Sequence, residues 1–131
     1  RILFCEDSIV RGTQLKDNIQ SLFDCGAQEV HMRPACPTLI FSCDFLNFST
    51  SRSTLDLAGR KVIHELEGGN EDNLDAYAVP ESEKNLAMIE GIRQRLRLTT
   101  LKYQRLDDLI AAIGLSREKL CTHCWDRSSH F

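Results

Sequence analysis

The fold is decided by residues 1–35, which read RILFCEDSIVRGTQLKDNIQSLFDCGAQEVHMRPA. The short apolar run at residues 2–5 predicts a strand buried on both faces of a parallel sheet. A helix is predicted from Thr13, its expected N-cap, to just before Gly26. Its apolar residues recur at helical spacing: Leu15, Ile19, Leu22 and Phe23. Apolar and polar residues alternate over residues 29–35 and predict a second strand. The whole segment therefore predicts a βαβ unit with parallel strands and a right-handed crossover.

The remaining chain continues as an α/β pattern. Helices are expected over residues 55–66, with Ser53 as cap, over 81–96 and over 106–113, and a strand over 98–103. Three parts are predicted: residues 1–66 with the βαβ unit, an acidic linker at 67–80, and a helical and strand part at 81–131. Because the first residues already form a strand, we expect the chain to be part of a longer protein.

Composition restricts the class of protein. The 131 residues suffice for one compact domain, and 16 Lys and Arg against 19 Asp and Glu give a net charge of −3. This mild acidity argues against binding to nucleic acid or an anionic membrane. The first residues lack the apolar core of a signal peptide, so we expect a cytoplasmic protein whose six cysteines do not form a disulfide framework.

The loop at residues 6–13 follows the first strand, where parallel sheets bind their ligands. Adjacent carboxylates at Glu6 and Asp7 can accept hydrogen bonds from vicinal hydroxyls or help hold a divalent cation. The next backbone N–H groups, with the hydroxyls of Ser8 and Thr13, can surround a phosphate, and Gly12 permits close approach. The alternative is that the acidic pair only ends a strand and Thr13 only caps a helix.

Several segments, in order, resemble one family. Residues 6–13 (EDSIVRGT) resemble the phosphoribosyl-diphosphate (PRPP) motif of type I phosphoribosyltransferases, and more narrowly that of glutamine PRPP amidotransferases. Residues 26–33 (GAQEVHMR), residues 35–37 (ACP) with Cys43, and residues 120–124 (LCTHC) resemble later segments of the same family. Glu6 replaces the family's first aspartate. The resemblance implies the C-terminal part of a phosphoribosyltransferase domain, with a parallel sheet and helices on both faces.

The resemblance also implies an activity. Ammonia from glutamine would displace diphosphate from PRPP and give 5-phosphoribosylamine, the first step of purine synthesis. The family's acidic pair matches Glu6 and Asp7, which would hold the ribose hydroxyls and Mg²⁺. The family's loop for the 5′-phosphate matches six residues: Ser8, Ile9, Val10, Arg11, Gly12 and Thr13. The chain lacks the family's N-terminal glutaminase domain, so we expect it to be inactive alone and the full-length protein to be a homo-oligomer.

A C-x-x-C pair at Cys121 and Cys124 allows two thiolates to bind one metal ion or cluster. Some relatives in the resembling family carry a [4Fe–4S] cluster, and Cys43, Cys121 and Cys124 match three of its four ligands. The fourth would lie outside this chain. Buried or incidental thiols are the alternative. Two further functions stay open: a PRPP- or nucleotide-binding regulatory module without catalysis, and a small zinc- or iron–sulfur-binding interaction domain.

Overall fold

The computed structural model describes residues 1–43 and 54–128, so Ser53 lies outside the described residues. Three parallel strands form one sheet in the order β1 (Ile2–Glu6), β2 (Val30–Pro34) and β3 (Thr100–Leu101). In the register of β1 on β2, Ile2 lies opposite Val30 and Glu6 opposite Pro34. The predicted parallel βαβ unit is confirmed.

Six helices accompany the sheet in the described part of the chain. They are α1 (Thr13–Asp24), α2 (Ala58–Leu66), α3 (Leu74–Ala78), α4 (Glu83–Arg95), α5 (Leu106–Ile113) and α6 (His123–Asp126). α4 begins after Ser82, whose hydroxyl accepts a hydrogen bond from the Asn85 N–H at 3.1 Å. α5 has the bounds expected from the sequence and ends at Gly114, which has a left-handed φ of 75°. None of these helices has the length and apolar character needed to cross a membrane.

The hydrophobic core lies between the sheet and helices α1 to α4. It is a single cluster of buried side chains that includes Val30 and Met32 of β2, Val62 and Ile63 of α2, Tyr77 of α3, Met88 and Ile92 of α4, and Leu101 of β3. These residues come from all three of the predicted parts of the chain. All three parts therefore share one core, and residues 1–66 and 81–131 also share one sheet.

The segment at residues 67–80, expected as a linker, contains the short helix α3. Leu74 and Tyr77 of this helix are buried. The Tyr77 hydroxyl donates a hydrogen bond to the Glu67 carboxylate at 2.6 Å, and the Lys84 ammonium binds the same carboxylate. The acidic residue thus ties α3 to α4, and the segment packs as part of the domain.

β1 is less buried than the sequence predicts. Ile2 and Phe4 are half-buried, but Cys5 is exposed and Leu3 is 63% exposed. β1 pairs only with β2 in the described chain, and no described element covers the face that carries Leu3 and Cys5. The prediction of burial on both faces is therefore wrong for this strand in the present chain.

α2 and α4 pack closely where α4 has a glycine. A Cβ atom at Gly91 would lie 2.4 Å from Cγ1 and 3.3 Å from Cγ2 of Val62. Val62 is 2% exposed and belongs to the core. The absence of a side chain at Gly91 sets how near the two helices approach.

Candidate functional site

The loop between β1 and α1 is held at three points. The Glu6 carbonyl accepts a hydrogen bond from the Ala35 N–H at 2.8 Å, which fixes the end of β1 beside the end of β2. The Val10 carbonyl accepts one from the Ala58 N–H, also at 2.8 Å, which fixes the loop to the start of α2. Ile9 is 3% exposed and packs into the core. The loop is therefore a formed part of the fold at the carboxyl edge of the sheet.

A cavity of about 610 Å³ lies along this loop. It is lined by Glu6, by each of the residues from Ser8 to Leu15, and by Asn18. All six residues expected to surround a phosphate therefore line one cavity, together with Glu6 of the expected acidic pair. The structure thus brings these residues together at the end of β1.

Asp7, the other expected acidic residue, does not line the cavity. Its carboxylate accepts a hydrogen bond from the Ser8 N–H at 2.6 Å and is exposed. The pKa of the nearby Cys36 thiol is raised, first by burial and then by the negative charge of Asp7. Asp7 therefore lies close enough to Cys36, in the segment that follows β2, for its charge to affect that thiol.

Sequence reasoning missed three residues that line the cavity: Gln14, Leu15 and Asn18. Gln14 and Asn18 are four residues apart, so they occupy one face of α1 just after the loop. That spacing is visible in the sequence. Only the direction of the helix relative to the loop shows which of its faces borders the cavity.

The helix cap differs from the prediction. Gly12, not Thr13, is the N-cap of α1, and no side chain makes the cap hydrogen bond. Gly12 has a φ of 75°, and its carbonyl accepts from the Lys16 N–H at 3.0 Å. Since Thr13 is the first helical residue and is exposed, its hydroxyl is not used for capping.

We expect Gly12→Ala to destabilise the protein and to deform the loop. A Cβ atom there would lie 3.1 Å from Cδ2 of Leu96, and a non-glycine residue at this φ costs roughly 1–2 kcal/mol. Gly114→Ala is the matched control, because Gly114 has the same φ of 75° with nothing within 4 Å of its Cβ position. Urea denaturation should give a larger loss for Gly12→Ala; equal losses would show that the contact with Leu96 is unimportant.

A second cavity, of about 220 Å³, shares Arg11, Gly12 and Thr13 with the first. Four cationic side chains line it: Arg11, Lys16, Lys61 and Arg95. Arg95 is paired with Glu65, and no acidic residue lines the cavity. The surroundings of the loop are thus electropositive, which favours an anionic group near the start of α1.

The three cysteines expected as cluster ligands are neighbours. Cys43 is buried, and the thiols of Cys43 and Cys121 are near enough to Cys124 to raise the pKa of its thiol. Burial first, and then the neighbouring thiols of Cys43 and Cys121, raise the pKa of the Cys124 thiol to about 12. Within residues 1–43 and 54–128, no group of three His, Cys, Asp or Glu side chains is placed to hold one metal ion.

The C-x-x-C segment is attached to the segment that follows β2. The Cys124 carbonyl accepts hydrogen bonds from the N–H groups of Ile40 and Phe41, at 3.0 and 3.1 Å. The His123 ring lies 6.3 Å from the Phe41 ring. These contacts bring Cys121 and Cys124, distant in sequence, next to Cys43.

Comparison with known proteins gives consistent matches. The chain is 28% identical over 126 residues to amidophosphoribosyltransferase of Methanothermobacter thermautotrophicus, covering 96% of this chain and 21% of that protein. It is 27% identical to the enzyme of Mycobacterium tuberculosis over 96% of this chain and 20% of that protein. It is 38% identical to the chloroplastic enzyme of Glycine max over 50% of this chain. No family model matches the chain.

Solved structures agree on the fold. Glutamine PRPP amidotransferase from B. subtilis, complexed with ADP and GMP, superimposes with a TM-score of 0.67 and 21% identity over 99% of this chain. This chain covers 24% of that structure and spans about a fifth of the length of the curated relatives. The fold prediction and the resemblance stated from sequence are confirmed; the matched region lies in the C-terminal part of the relatives.

Proposed function

We propose that this chain is part of the phosphoribosyltransferase domain of an amidophosphoribosyltransferase, and that its loop at residues 6–13 binds PRPP. The observation that carries the proposal is the single cavity lined by Glu6 and by every residue from Ser8 to Thr13. The similarity along 96% of the chain to enzymes of that name supports it. The reaction proposed for the longer protein is displacement of diphosphate from PRPP by ammonia derived from glutamine.

The loop supplies phosphate binding by its backbone. Gly12 and Thr13 form the start of the 12-residue helix α1, where N–H groups without helical partners and the helix dipole favour an anion. Arg11 and Lys16 add positive charge on the same side of the chain. We assign the 5′-phosphate to this position.

The acidic pair is assigned to the sugar. Glu6 lines the loop cavity, and Asp7 follows it directly in sequence at the end of β1, so the ribose is assigned to the β1 end of the cavity. Mg²⁺ is usually held by one or two carboxylates together with substrate phosphates, which fits this pair. When bound, Mg²⁺ would neutralise charge on the departing diphosphate. Negative carboxylates near the sugar would stabilise positive charge that develops at its anomeric carbon.

Titration calorimetry of the chain with PRPP and Mg²⁺ tests this proposal. We expect saturable binding of PRPP that is stronger with Mg²⁺ than without it, and no release of diphosphate by the chain alone when ammonia is added. Absence of PRPP binding would refute the loop assignment. Diphosphate release by the chain alone would refute the proposal that it is only part of a catalytic unit.

A regulatory module that binds PRPP without catalysis needs the same phosphate-binding loop. The longer protein distinguishes the two functions. An amidophosphoribosyltransferase releases diphosphate when given PRPP, Mg²⁺ and glutamine, whereas a sensor binds PRPP and leaves it intact. We favour the enzyme because the relatives that match 96% of this chain are named amidophosphoribosyltransferases.

We also propose Cys43, Cys121 and Cys124 as ligands of an iron–sulfur cluster. Thiolates are the usual ligands of such clusters, and these three thiols are neighbours. The described residues do not yet form a three-ligand site, so binding requires the thiols to reorient and a further ligand to join them. The high pKa of Cys124 means that its proton must leave on binding.

Anaerobic reconstitution with iron and sulfide tests the cluster proposal. We expect Cys124→Ser to lose most of the bound iron and the visible absorbance, because it removes the thiol whose pKa both of the other thiols raise. Cys25→Ser is the matched control, since Cys25 is an exposed free cysteine at the end of α1. Equal iron content in both variants would contradict the assignment.

A further inference from the structure

The second cavity is lined by residues of three helices. Its wall is formed by the first turn of α1 with the end of the loop, by the start of α2 and by the last turn of α4. Gly12 lies where these meet, since a Cβ atom there would be 3.1 Å from Cδ2 of Leu96 and 4.0 Å from Cβ of Ala58. Apart from Arg11, Gly12 and Thr13, none of its described lining residues lines the loop cavity. The second cavity therefore has walls of its own.

Three of its cationic side chains have no ionic partner in the described chain. Arg11, Lys16 and Lys61 form no ion pair with a described carboxylate. Glu65 lies four residues after Lys61 on α2, a spacing at which helix side chains can pair, but it binds Arg95 of α4. This pairing uses one of the four positive charges at the cavity. The other three are available to a ligand.

The end of α4 does not supply the missing negative partner. Carbonyl groups at a helix C-terminus carry partial negative charge and could attract these cations. The carbonyls of Ile92, Arg93 and Gln94 already accept hydrogen bonds from the N–H groups of residues 96–98, at 3.0 or 3.1 Å. These carbonyl groups therefore need no further donor.

The size and the walls of the second cavity favour a compact anion. Its volume of about 220 Å³ is below the roughly 300–1,000 Å³ typical of pockets for organic ligands. Ala58, Ile92 and Leu96 provide apolar walls, and such surroundings strengthen the attraction between opposite charges. A tetrahedral oxyanion presents four oxygen atoms in different directions. Cationic side chains that come from the loop, α1 and α2 can each bind one of them.

We propose that the second cavity binds a free inorganic phosphate ion through Arg11, Lys16 and Lys61. This site is separate from the one assigned to the 5′-phosphate of PRPP. Because Arg11 is common to both cavities, phosphate in the second cavity weakens binding of PRPP at the loop, and PRPP weakens binding of phosphate by the same factor. This coupling rests on the proposed function, whereas binding of phosphate does not.

Titration calorimetry of the 131-residue chain with potassium phosphate tests the site directly. Potassium chloride keeps the ionic strength constant, so that screening is equal throughout. Lys61→Gln and Lys16→Gln should each weaken phosphate binding about tenfold, the effect of losing one hydrogen bond to a charged group, because both residues line the second cavity alone.

Lys119→Gln is the matched control, since it removes the same charge from an exposed residue outside both cavities. Its affinity for phosphate should equal that of the unaltered chain. Absence of saturable phosphate binding would overturn the proposal. Equal affinities in Lys61→Gln, Lys16→Gln and the control would overturn it as well.

A titration with PRPP separates the second cavity from the loop. Phosphate that occupied the loop would compete with PRPP, so the apparent Kd of PRPP would rise without limit as phosphate is added. With separate sites, the apparent Kd should reach a plateau, and Lys61→Gln should lose most of the effect. A rise without limit that Lys61→Gln leaves unchanged would refute a separate site. If the chain binds no PRPP, the proposed function fails and the direct phosphate titrations alone decide on the second cavity.

Glycerol phosphate distinguishes a free ion from a phosphate ester. A cavity of this volume should bind glycerol phosphate more weakly than inorganic phosphate, because the glycerol group does not fit between the three helices. Equal or tighter binding of glycerol phosphate, lost in Lys61→Gln, would assign the cavity to an ester and overturn the assignment to the free ion.

Discussion

Asp7→Asn is expected to weaken binding of PRPP in the presence of Mg²⁺ by about tenfold to a hundredfold, the effect of losing one hydrogen bond to a charged group. The substitution keeps the shape of the side chain, and its amide oxygen can still accept from the Ser8 N–H, as the Asp7 carboxylate does at 2.6 Å. The loop should therefore stay folded. What is lost is the negative charge that would attract Mg²⁺ and accept from the ribose hydroxyls.

The dependence on Mg²⁺ makes this result specific. Without Mg²⁺, the carboxylate and the diphosphate repel each other, so Asp7→Asn should change affinity little or improve it slightly. Asp108→Asn in α5 is the matched control, because it removes the same charge outside the loop cavity. Calorimetry of the unaltered chain and the two variants, each with and without Mg²⁺, gives six affinities. An equal loss in both conditions would mean that Asp7 does not help to bind the metal.

Gly91→Ala is expected to lower the free energy of unfolding by about 2 kcal/mol, although alanine favours helix over glycine by about 1 kcal/mol. The reason is the distance of 2.4 Å from the new Cβ atom to Cγ1 of Val62. Val62 is 2% exposed and has no open space into which to turn, so α2 and α4 must separate. Urea denaturation measures the loss.

A second substitution should reverse much of this loss. Val62→Ala removes both Cγ atoms that the alanine at position 91 would meet, and alone it destabilises by about 1.6 kcal/mol for the two buried carbons removed. The double variant should be more stable than the sum of the two single effects predicts, because one change fills space that the other leaves. Additive effects would show that the two helices do not limit each other at Gly91.

Local sequence signals were sufficient for the elements with a clear period and a clear end. α5 could be placed because its apolar residues are followed by Gly114, which adopts the left-handed conformation typical of a helix end. The βαβ unit followed from an apolar run, a helical period and an alternating strand in succession. The candidate site residues were also adjacent in sequence, so their gathering in one cavity required only the strand–loop–helix connection.

Features set by distant contacts were not predicted. Thr13 is a residue type that often caps helices, but Gly12 is the N-cap of α1. Gly12 lies close to Leu96, which is far along the chain. α3 has five residues, too few to show a helical period, and it depends on burial of Tyr77. The exposure of Leu3 depends on which elements cover β1, and an apolar run alone does not contain that information.

The pairing of β3 with β2 has a consequence for how the sheet is assembled. β1 and β2 are joined by a single helix, whereas the hydrogen bond from the Val30 N–H to Thr99 Oγ1 joins residues 69 positions apart. Closing such a long loop is slow compared with forming a local βαβ unit. During synthesis, one edge of β2 stays unpaired until residues 99–101 have emerged from the ribosome. We expect the nascent chain to be prone to aggregation in that interval, and co-translational chaperones to raise its yield.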